Sequence, residues 1–454
     1  MQPRARQFTR LAVAVITALA VSWGHSIAIA QQGQPIEDKP IDAAKQAEII
    51  DSVTKALIDV YVFPDVAKKM DKHVRDQLKK KAYTPITSTR AFAEKLTEDL
   101  RSISHDLHLH VDYLPDEDIA MIQGDTADGG GRQRDLENAR RNNFAFRELK
   151  ILPGNIGYLN FTGFSGHPEA GPTAVAAMNF LANCDAVIFD VRQNGGGSPA
   201  MIQLLSSYLF DESKHLNSFY IRRTDSIEQY WTPAHVSGPR MSDVDVYVLT
   251  SGRTFSAAEE FTYNLKNMKR ATIVGDTTGG GAHPVEFNYW ANLNLSMSLP
   301  FGRAINPITG TNWEGTGVAP DIVVPADQAL EAAQKDALTK RFARTSGEDE
   351  KYQLQWAIDG LEAKLNPRSI DVSKLTRYAG AYGPRSIKLE NGALYYRRGE
   401  NPWAKMIPMS ESLFRFDAFD YFRLEVVTDA SGQPTELVGH YDNGMVDKSP
   451  RTGD

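Results

Sequence analysis

The fold is decided by the stretch Val246-Tyr-Val-Leu-Thr-Ser-Gly-Arg-Thr-Phe-Ser256-Ala-Ala-Glu-Glu260. An apolar strand pattern passes through a short turn with a glycine into a helix that begins at Ser256. A serine in this position is often only a helix cap, because its side-chain oxygen accepts a backbone N–H of the first turn. The position also suits a nucleophile, since the Ala257 amide and the helix dipole can stabilise an oxyanion.

Strand and helix patterns alternate on both sides of this stretch. Apolar strands are predicted at 157–161, 186–190 and 271–274, and helices at 174–181 and 200–209. Such alternation predicts an α/β core with a largely parallel sheet.

The chain of 454 residues is too long for one ordinary domain. Gly129-Gly-Gly131 among polar residues predicts a flexible loop, and short strands separated by Asn-Gly and Ser-Gly turns predict a β domain at the C-terminus. The predicted organisation is a signal peptide (1–30), an N-terminal helical domain (31–118), a flexible loop (119–143), an α/β core (144–327), a helical linker (328–370) and a C-terminal antiparallel β domain (371–454).

The N-terminus has the pattern of a secretory signal peptide. Basic residues up to Arg10 precede an apolar run over 11–23, and Ala28-Ile-Ala30 precedes the predicted cleavage site. The run is too short to favour a membrane span, so we expect an exported protein of the periplasm or extracellular space with no integral membrane segment after cleavage. Cys184 is the only cysteine, which excludes an internal disulfide, and we expect it to be buried.

A net charge of −7 gives no basic surface, so nucleic acid is not an expected partner. A glycine turn, Gly195-Gly-Gly197, follows the buried strand at 186–190 and allows close approach of the backbone. It lacks both a following lysine and GxGxxG spacing, which disfavours nucleotide binding. Gly196 or Gly197 could instead offer an amide opposite that of Ala257, as in an oxyanion hole.

Two further segments carry reactive side chains. Ser104-His-Asp-Leu-His-Leu-His-Val-Asp112 contains three histidines, and in an extended stretch His108 and His110 would point the same way. They could bind a metal, or one of them could be a general base. Glu314 follows Trp313 in a glycine-rich turn and is either an exposed turn residue or a carboxylate that orients a histidine.

Taken together, these features resemble the tail-specific, or carboxy-terminal processing, serine peptidases, in the branch of the tricorn core protease and interphotoreceptor retinoid-binding protein. The resemblance covers about residues 41–326 and implies a Clp protease/crotonase-like core that hydrolyses peptide bonds through an acyl-enzyme, with no cofactor or metal. Its motifs are Tyr61-Val-Phe-Pro64, Asp106-Leu-His108, Asp190-Val-Arg-Gln-Asn-Gly-Gly-Gly197, Thr250-Ser-Gly-Arg-Thr-Phe-Ser256-Ala-Ala-Glu259, Gly275-Asp-Thr-Thr-Gly-Gly-Gly281 and Trp313-Glu-Gly-Thr-Gly-Val-Ala-Pro-Asp321.

The resemblance implies Ser256 as nucleophile, His108 as base and Glu314, 58 residues after the serine, as orienting acid. His110 is the second candidate for the base. The loop over 275–284 contains no lysine, which disfavours the serine–lysine pair of another branch. Leu107 stands where the tricorn-like branch has a serine beside its histidine.

The expected partner is a polypeptide or peptide substrate, and oligomerisation is possible. The first alternative is a non-catalytic binding protein for an apolar ligand or peptide on the same fold, as the retinoid-binding relatives imply. The second alternative is a zinc hydrolase that uses the cluster of His105, His108 and His110.

Overall fold

The computed structural model describes residues 38–128 and 130–453. The predicted signal peptide lies outside the described residues. The helices are α1 (Ala43–Val60), α2 (Pro64–Lys79), α3 (Thr89–Ser104), α4 (Asp116–Asp128), α5 (Gly130–Arg141), α6 (Ala170–Leu181), α7 (Pro199–Ser207), α8 (Ala257–Asn267), α9 (Ala329–Arg344), α10 (Glu348–Leu365) and α11 (Val372–Tyr378).

The strands fall into a larger N-terminal group and a C-terminal group. The first group is β1 (His110–Tyr113), β2 (Phe146–Leu152), β3 (Ile156–Phe161), β4 (Ala186–Asp190), β5 (His215–Ile221), β6 (Ser226–Trp231), β7 (Asp245–Thr250), β8 (Thr272–Gly275), β9 (Val285–Trp290), β10 (Leu295–Pro300), β11 (Gly302–Ile305) and β12 (Ile322–Val323). The second is β13 (Gly380–Tyr382), β14 (Arg385–Glu390), β15 (Ala393–Arg398), β16 (Ala404–Lys405), β17 (Ile407–Pro408), β18 (Leu413–Arg415), β19 (Phe422–Thr428), β20 (Pro434–Tyr441) and β21 (Val446–Pro450).

A six-stranded sheet forms the centre, in the order β12-β8-β7-β4-β3-β2. It is parallel from β12 to β3, and β2 pairs antiparallel with β3. Strand β4 is buried along its whole length because helices cover both faces of the sheet. Val187 and Phe189 pack towards α6, α7 and α8, whereas Ile188 packs towards α9 and α10.

The segment predicted as a linker over 328–370 is part of this packing. Ala333 and Leu338 of α9 contact the cluster that contains Tyr247 and Leu249 of β7. The small side chains of α9 allow the helix to approach the sheet closely, so the segment covers the second face of the core rather than only joining two domains.

The prediction of a flexible loop over 119–143 was wrong. Helices α4 and α5 occupy most of that range and contact each other. Gly130 and Gly131 are the first two residues of α5. The acidic first turn of α4, beginning at Asp116, complements the positive end of the helix dipole.

Helices α1, α2 and α3 pack around a core of their own that also includes β1 and β10. Strand β1 pairs with β10, which pairs with β9, so the N-terminal helical region shares an antiparallel sheet with residues 285–300. This long-range pairing places the histidine segment after α3 beside the α/β core.

The C-terminal region forms two antiparallel sheets, β13 to β16 and β17 to β21, around the buried Tyr382 and Leu424. The α/β core with N-terminal helices and a C-terminal antiparallel β domain confirms the predicted fold class. Cys184 is buried, as expected. Among the described residues, no helix combines the length and apolarity that a membrane crossing requires.

Candidate active site

Ser256 lies between β7 and α8 in an unusual backbone conformation, with φ 54° and ψ −121°. A positive φ is unfavourable for a residue with a side chain and persists where the surroundings fix it. Here the Phe255 amide donates to Asn194 O at 3.1 Å, and the Ser256 amide donates to Glu259 Oε2 at 2.9 Å. The turn therefore holds the serine at the start of α8 in one orientation.

The glycine turn lies directly against this serine. Gly196 has φ 111°, and a Cβ atom there would come within 2.7 Å of Ser256 Cβ. Gly197 has φ 135°, and its Cβ would come within 2.2 Å of Phe164 O. Both positions require glycine, because the backbone leaves no room for a side chain and has a left-handed φ.

The amides of this region differ in their hydrogen bonding. Gly196 N donates to Asn194 Oδ1 at 2.9 Å, so this amide is already engaged. Within residues 38–128 and 130–453, no hydrogen bond of the Gly197 or Ala257 amide is found. The Ala257 amide directly follows Ser256, and Gly197 follows Gly196, which lies against Ser256, so both amides are available as donors.

His108 lies in a turn and not in an extended stretch, so the condition under which His108 and His110 would point the same way is not met. Asp106 Oδ1 accepts the His108 amide at 3.0 Å and forms a tight turn, so β1 begins only at His110. The two imidazoles consequently do not share a direction. His110 Nδ1 lies 3.1 Å from His108 O, and His110 Nε2 lies 3.1 Å from Asp112 Oδ2.

The His108 ring packs against the residue next to Ser256. Its centroid is 4.6 Å from that of Phe255, and its side chain is buried. Burial lowers the pKa of His108 to about 4, so the ring is neutral at physiological pH. Its Nδ1 atom is buried without a hydrogen-bond partner. A neutral, buried imidazole with an open nitrogen is suited to accept a proton.

Glu314 approaches His108 from the loop after β11. Its Oε2 accepts the Ala282 amide at 2.6 Å, while its Oε1 is buried without a partner. A carboxylate oxygen of Asp106, a ring nitrogen of His108 and a carboxylate oxygen of Glu314 all lie within 4.8 Å of one another. Burial raises the pKa of Glu314 to about 7, although the nearby charge of His283 opposes this rise.

Sequence reasoning overlooked a second histidine in this pocket. His283 Nδ1 lies 2.7 Å from Asp106 Oδ2 and 3.6 Å from Glu314 Oε2. Tyr61 donates to the same Asp106 oxygen at 3.1 Å. Burial disfavours the charged ring, but Asp106 and Glu314 outweigh it and raise the pKa of His283. The feature that could have identified His283 is its position in Ala-His-Pro, directly after the glycine turn Gly279-Gly-Gly281.

Gly281 explains how the loop over 275–284 accommodates the imidazole of His108. A Cβ atom at this position would lie 2.6 Å from His108 Cε1 and 2.3 Å from Phe255 Cζ. The space beside residue 281 is thus filled by the two rings, and any side chain there would displace them.

The three histidines considered as a zinc set are not brought together. Among the described residues, the group with metal-ligand geometry is Asp106, His108 and Glu314. His105 ends α3 with a left-handed backbone, and His110 pairs with Asp112. The arrangement near Ser256 therefore has the composition of a nucleophilic hydrolase: a hydroxyl, a neutral imidazole and a carboxylate.

Several solved structures are similar to parts of this chain. The photosystem II D1 C-terminal processing protease is 22% identical over 39% of this chain and 45% of that chain, with a TM-score of 0.32. A putative peptidase from Parabacteroides merdae is 18% identical over 66% of this chain and 98% of that chain, with a TM-score of 0.47. The tricorn protease is 15% identical over 70% of this chain and 37% of that chain, with a TM-score of 0.42. The chain thus spans less than half the length of the D1 processing protease.

Two family models match in chain order. Residues 155–324, which contain Ser256 and Glu314, match the model of peptidase family S41. Residues 43–137, which contain His108, match the model of the N-terminal domain of peptidase S41 in eukaryotic IRBP. The two matched ranges together take up more than half of the chain, and we conclude that this protein belongs to peptidase family S41, a family of serine-type peptidases.

Proposed function

We propose that the protein is an exported peptidase that cleaves peptide bonds through an acyl-enzyme on Ser256, with His108 as base and Glu314 as orienting acid. The observation that carries this proposal is the position of the His108 ring. It lies against Phe255, the neighbour of Ser256, and beside Glu314, and it is buried and neutral.

In the proposed mechanism, one nitrogen of His108 takes the proton of the Ser256 hydroxyl as the oxygen attacks the substrate carbonyl. The other nitrogen donates to Glu314, whose free Oε1 is the acceptor on that side. His108 then gives the proton to the leaving amine, and a water molecule repeats the sequence on the acyl-enzyme.

Glu314 supports this cycle only in its ionised form, because the negative charge stabilises the imidazolium that forms on His108. Burial favours the protonated carboxyl, with a pKa of about 7. The cationic form of His283 opposes this, and Asp106 in turn raises the pKa of His283 and so favours that cationic form. We therefore assign His283 the role of favouring the ionised form of Glu314, with Asp106 acting only through His283, because the charge of Asp106 itself raises the pKa of Glu314.

The oxyanion of the tetrahedral intermediate is proposed to lie between the amides of Gly197 and Ala257. Gly196 was an equal candidate from the sequence, but its amide donates to Asn194 Oδ1. The positive end of the α8 dipole adds to the stabilisation of the negative oxygen.

The decisive experiment is labelling with a fluorophosphonate probe, with the site read by mass spectrometry and hydrolysis of an unstructured polypeptide measured in parallel. We expect a label on Ser256, and the Ser256→Ala variant should lose hydrolysis by about four orders of magnitude or more. A folded wild-type protein that carries no label and binds an apolar ligand would instead be a non-catalytic binding protein. Unchanged hydrolysis in Ser256→Ala would refute the assignment.

Export is proposed from residues 1–30, whose basic start, apolar run and Ala-Ile-Ala end fit a cleaved signal peptide. Expression of the full chain, followed by cell fractionation and mass measurement, tests this proposal. A mature chain that begins at Gln31 and leaves the cytoplasm is expected, whereas an uncleaved cytoplasmic chain would contradict it.

A further inference from the structure

Glu259 is a fully buried carboxylate three residues after the proposed nucleophile, and the mechanism above assigns it no step. Its two oxygens accept four hydrogen bonds. Oε2 accepts the amides of Ser256 at 2.9 Å and Gly281 at 2.8 Å. Oε1 accepts the Gly280 amide at 2.6 Å and the Thr278 hydroxyl at 2.5 Å.

These donors come from two different segments, and a third segment is attached through them. Thr278 Oγ also accepts the Val318 amide at 2.7 Å, and Gly280 O accepts the Gly315 amide at 2.9 Å. Trp313 Nε1 donates to Gly281 O at 2.7 Å. The loop that carries Glu314 is therefore joined to the loop over 275–284, which Glu259 joins to Ser256.

A carboxylate is suited to this position for a simple chemical reason. It offers two oxygens and no proton, so it can accept all four bonds at once. A glutamine side chain has the same size, but its –NH₂ group would replace one of the two oxygens. That group is itself a donor, and it would face the two donors that now bind the replaced oxygen. Leaving buried amides without an acceptor is unfavourable, so the loops would separate from that side chain.

We propose that Glu259 is a positioning residue that fixes Ser256 relative to the loops bearing Gly281 and Glu314, and thereby sets the spacing of the proposed catalytic residues. The inference rests on the proposed function in so far as it concerns catalysis. The physical claim about the three loops is independent of it.

The neighbouring Glu260 provides a matched control. It is also buried on α8, but the neighbours of its carboxyl group are Asn217 and Asn264 and not the loops of the site. Substitution of either glutamate by glutamine removes one buried carboxyl from the same turn of the same helix. Only one of the two substitutions removes an acceptor from the site.

The experiment compares Glu259→Gln with Glu260→Gln by hydrogen–deuterium exchange and by kinetics. For Glu259→Gln we expect faster amide exchange in peptides covering 276–284 and 312–318. We also expect a kcat about ten- to a hundredfold lower with KM little changed, because sub-ångström misplacement of reacting groups affects the transition state most. Glu260→Gln should leave exchange in those peptides and kcat at wild-type values.

Equal effects of the two variants, or unchanged exchange in Glu259→Gln, would overturn the proposal. If Glu259→Gln does not fold, Thr278→Val takes its place, since it removes the hydroxyl that connects Glu259 to Val318. Unchanged exchange in 312–318 for that variant would also overturn it. A wild-type protein without a fluorophosphonate label would refute the proposed function, while the exchange data would still decide whether Glu259 joins the loops.

Discussion

The two halves of the site use their buried carboxylates in opposite ways. In the nucleophile turn, residues 251–259, Glu259 accepts four hydrogen bonds. In the base pocket, formed by Asp106, His108, His283 and Glu314, one oxygen of Glu314 and one nitrogen of His108 have no partner. The carboxylate of the first half has all its hydrogen bonds, whereas the carboxylate and the imidazole of the second half retain open positions.

This difference follows from what each half is proposed to do. The nucleophile and its oxyanion donors must keep their geometry throughout the reaction, which favours a fully bonded framework. The base pocket must gain and lose a proton, which requires groups whose protonation changes at moderate cost. Burial lowers the pKa of His108 and raises that of Glu314 in the second half. Burial also raises the pKa of Glu259 in the first half, but there four hydrogen bonds to the carboxylate oppose the rise.

The largest expected effect comes from removing the base. His108→Ala should lower kcat/KM by about three to four orders of magnitude, since no other imidazole contacts Phe255 among the described residues. His110→Ala is the matched control and should stay close to wild type, because His110 pairs with Asp112 instead. If His110→Ala lost activity and His108→Ala kept it, the base pocket would have been assigned to the wrong histidine.

A smaller loss, of about two to three orders of magnitude, is expected for Glu314→Gln. In the wild type, kcat/KM should fall as pH decreases through about 7, because the Glu314 carboxyl becomes protonated below its pKa and no longer supports the imidazolium. Glutamine does not titrate, so this acidic limb should disappear from the pH profile of the variant. An unchanged limb near pH 7 would show that another group controls it.

Gly281→Ala tests whether the packing of His108 against Phe255, which joins the base pocket to the nucleophile turn, is required for activity. The new methyl group would press on His108 and Phe255, so we expect kcat to fall about ten- to a hundredfold while the protein stays folded. Gly171→Ala is a control, since a Cβ there meets nothing within 4 Å. Wild-type kinetics for Gly281→Ala would mean that the base pocket adjusts more freely than its packing indicates.

The smallest effect is expected for His283→Gln. It should be measured as a shift, along the pH axis, of the acidic limb of the kcat/KM profile. The titratable groups near His283 are Asp106, Glu314, His108 and Arg303, and Phe63 packs against the ring. Removing a positive charge beside Glu314 raises the pKa of that carboxyl, so the limb should move to higher pH. Activity well above that pH should remain near wild type, and a limb that stays in place or moves to lower pH would contradict the role given to His283.

Local patterns in the sequence were sufficient to locate the elements of the core. The continuous apolar run of β4 and the step from β7 into α8 were both visible, and the helix begins directly after Ser256 as predicted. The spacing Ser256-Ala-Ala-Glu259 is also the signature of a capping box, so the bond from Glu259 to the Ser256 amide was open to prediction. Its further bonds to Gly280 and Gly281 were not, because those residues follow another strand.

The histidine segment shows the limit of pattern reasoning. An alternation of His108 and His110 reads as a strand, but the side chain of Asp106 turns the backbone between them and separates the rings. His283 has no candidate partner nearby in the sequence, because its partner Asp106 lies 177 positions away in the chain. Sequence spacing carries no information about a contact of that kind.

The sequence by itself determined the type of each element, the position of Ser256 at a helix start and the glycines that bring the backbone close to it. These follow from side-chain periodicity, backbone freedom and capping, which act over a few residues. The tertiary structure decided which histidine meets Glu314, which amides remain available and which carboxylate joins the loops. Those features depend on the pairing of β1 with β10 and on loops that meet at one end of the sheet, where residues far apart in the chain share the same buried space.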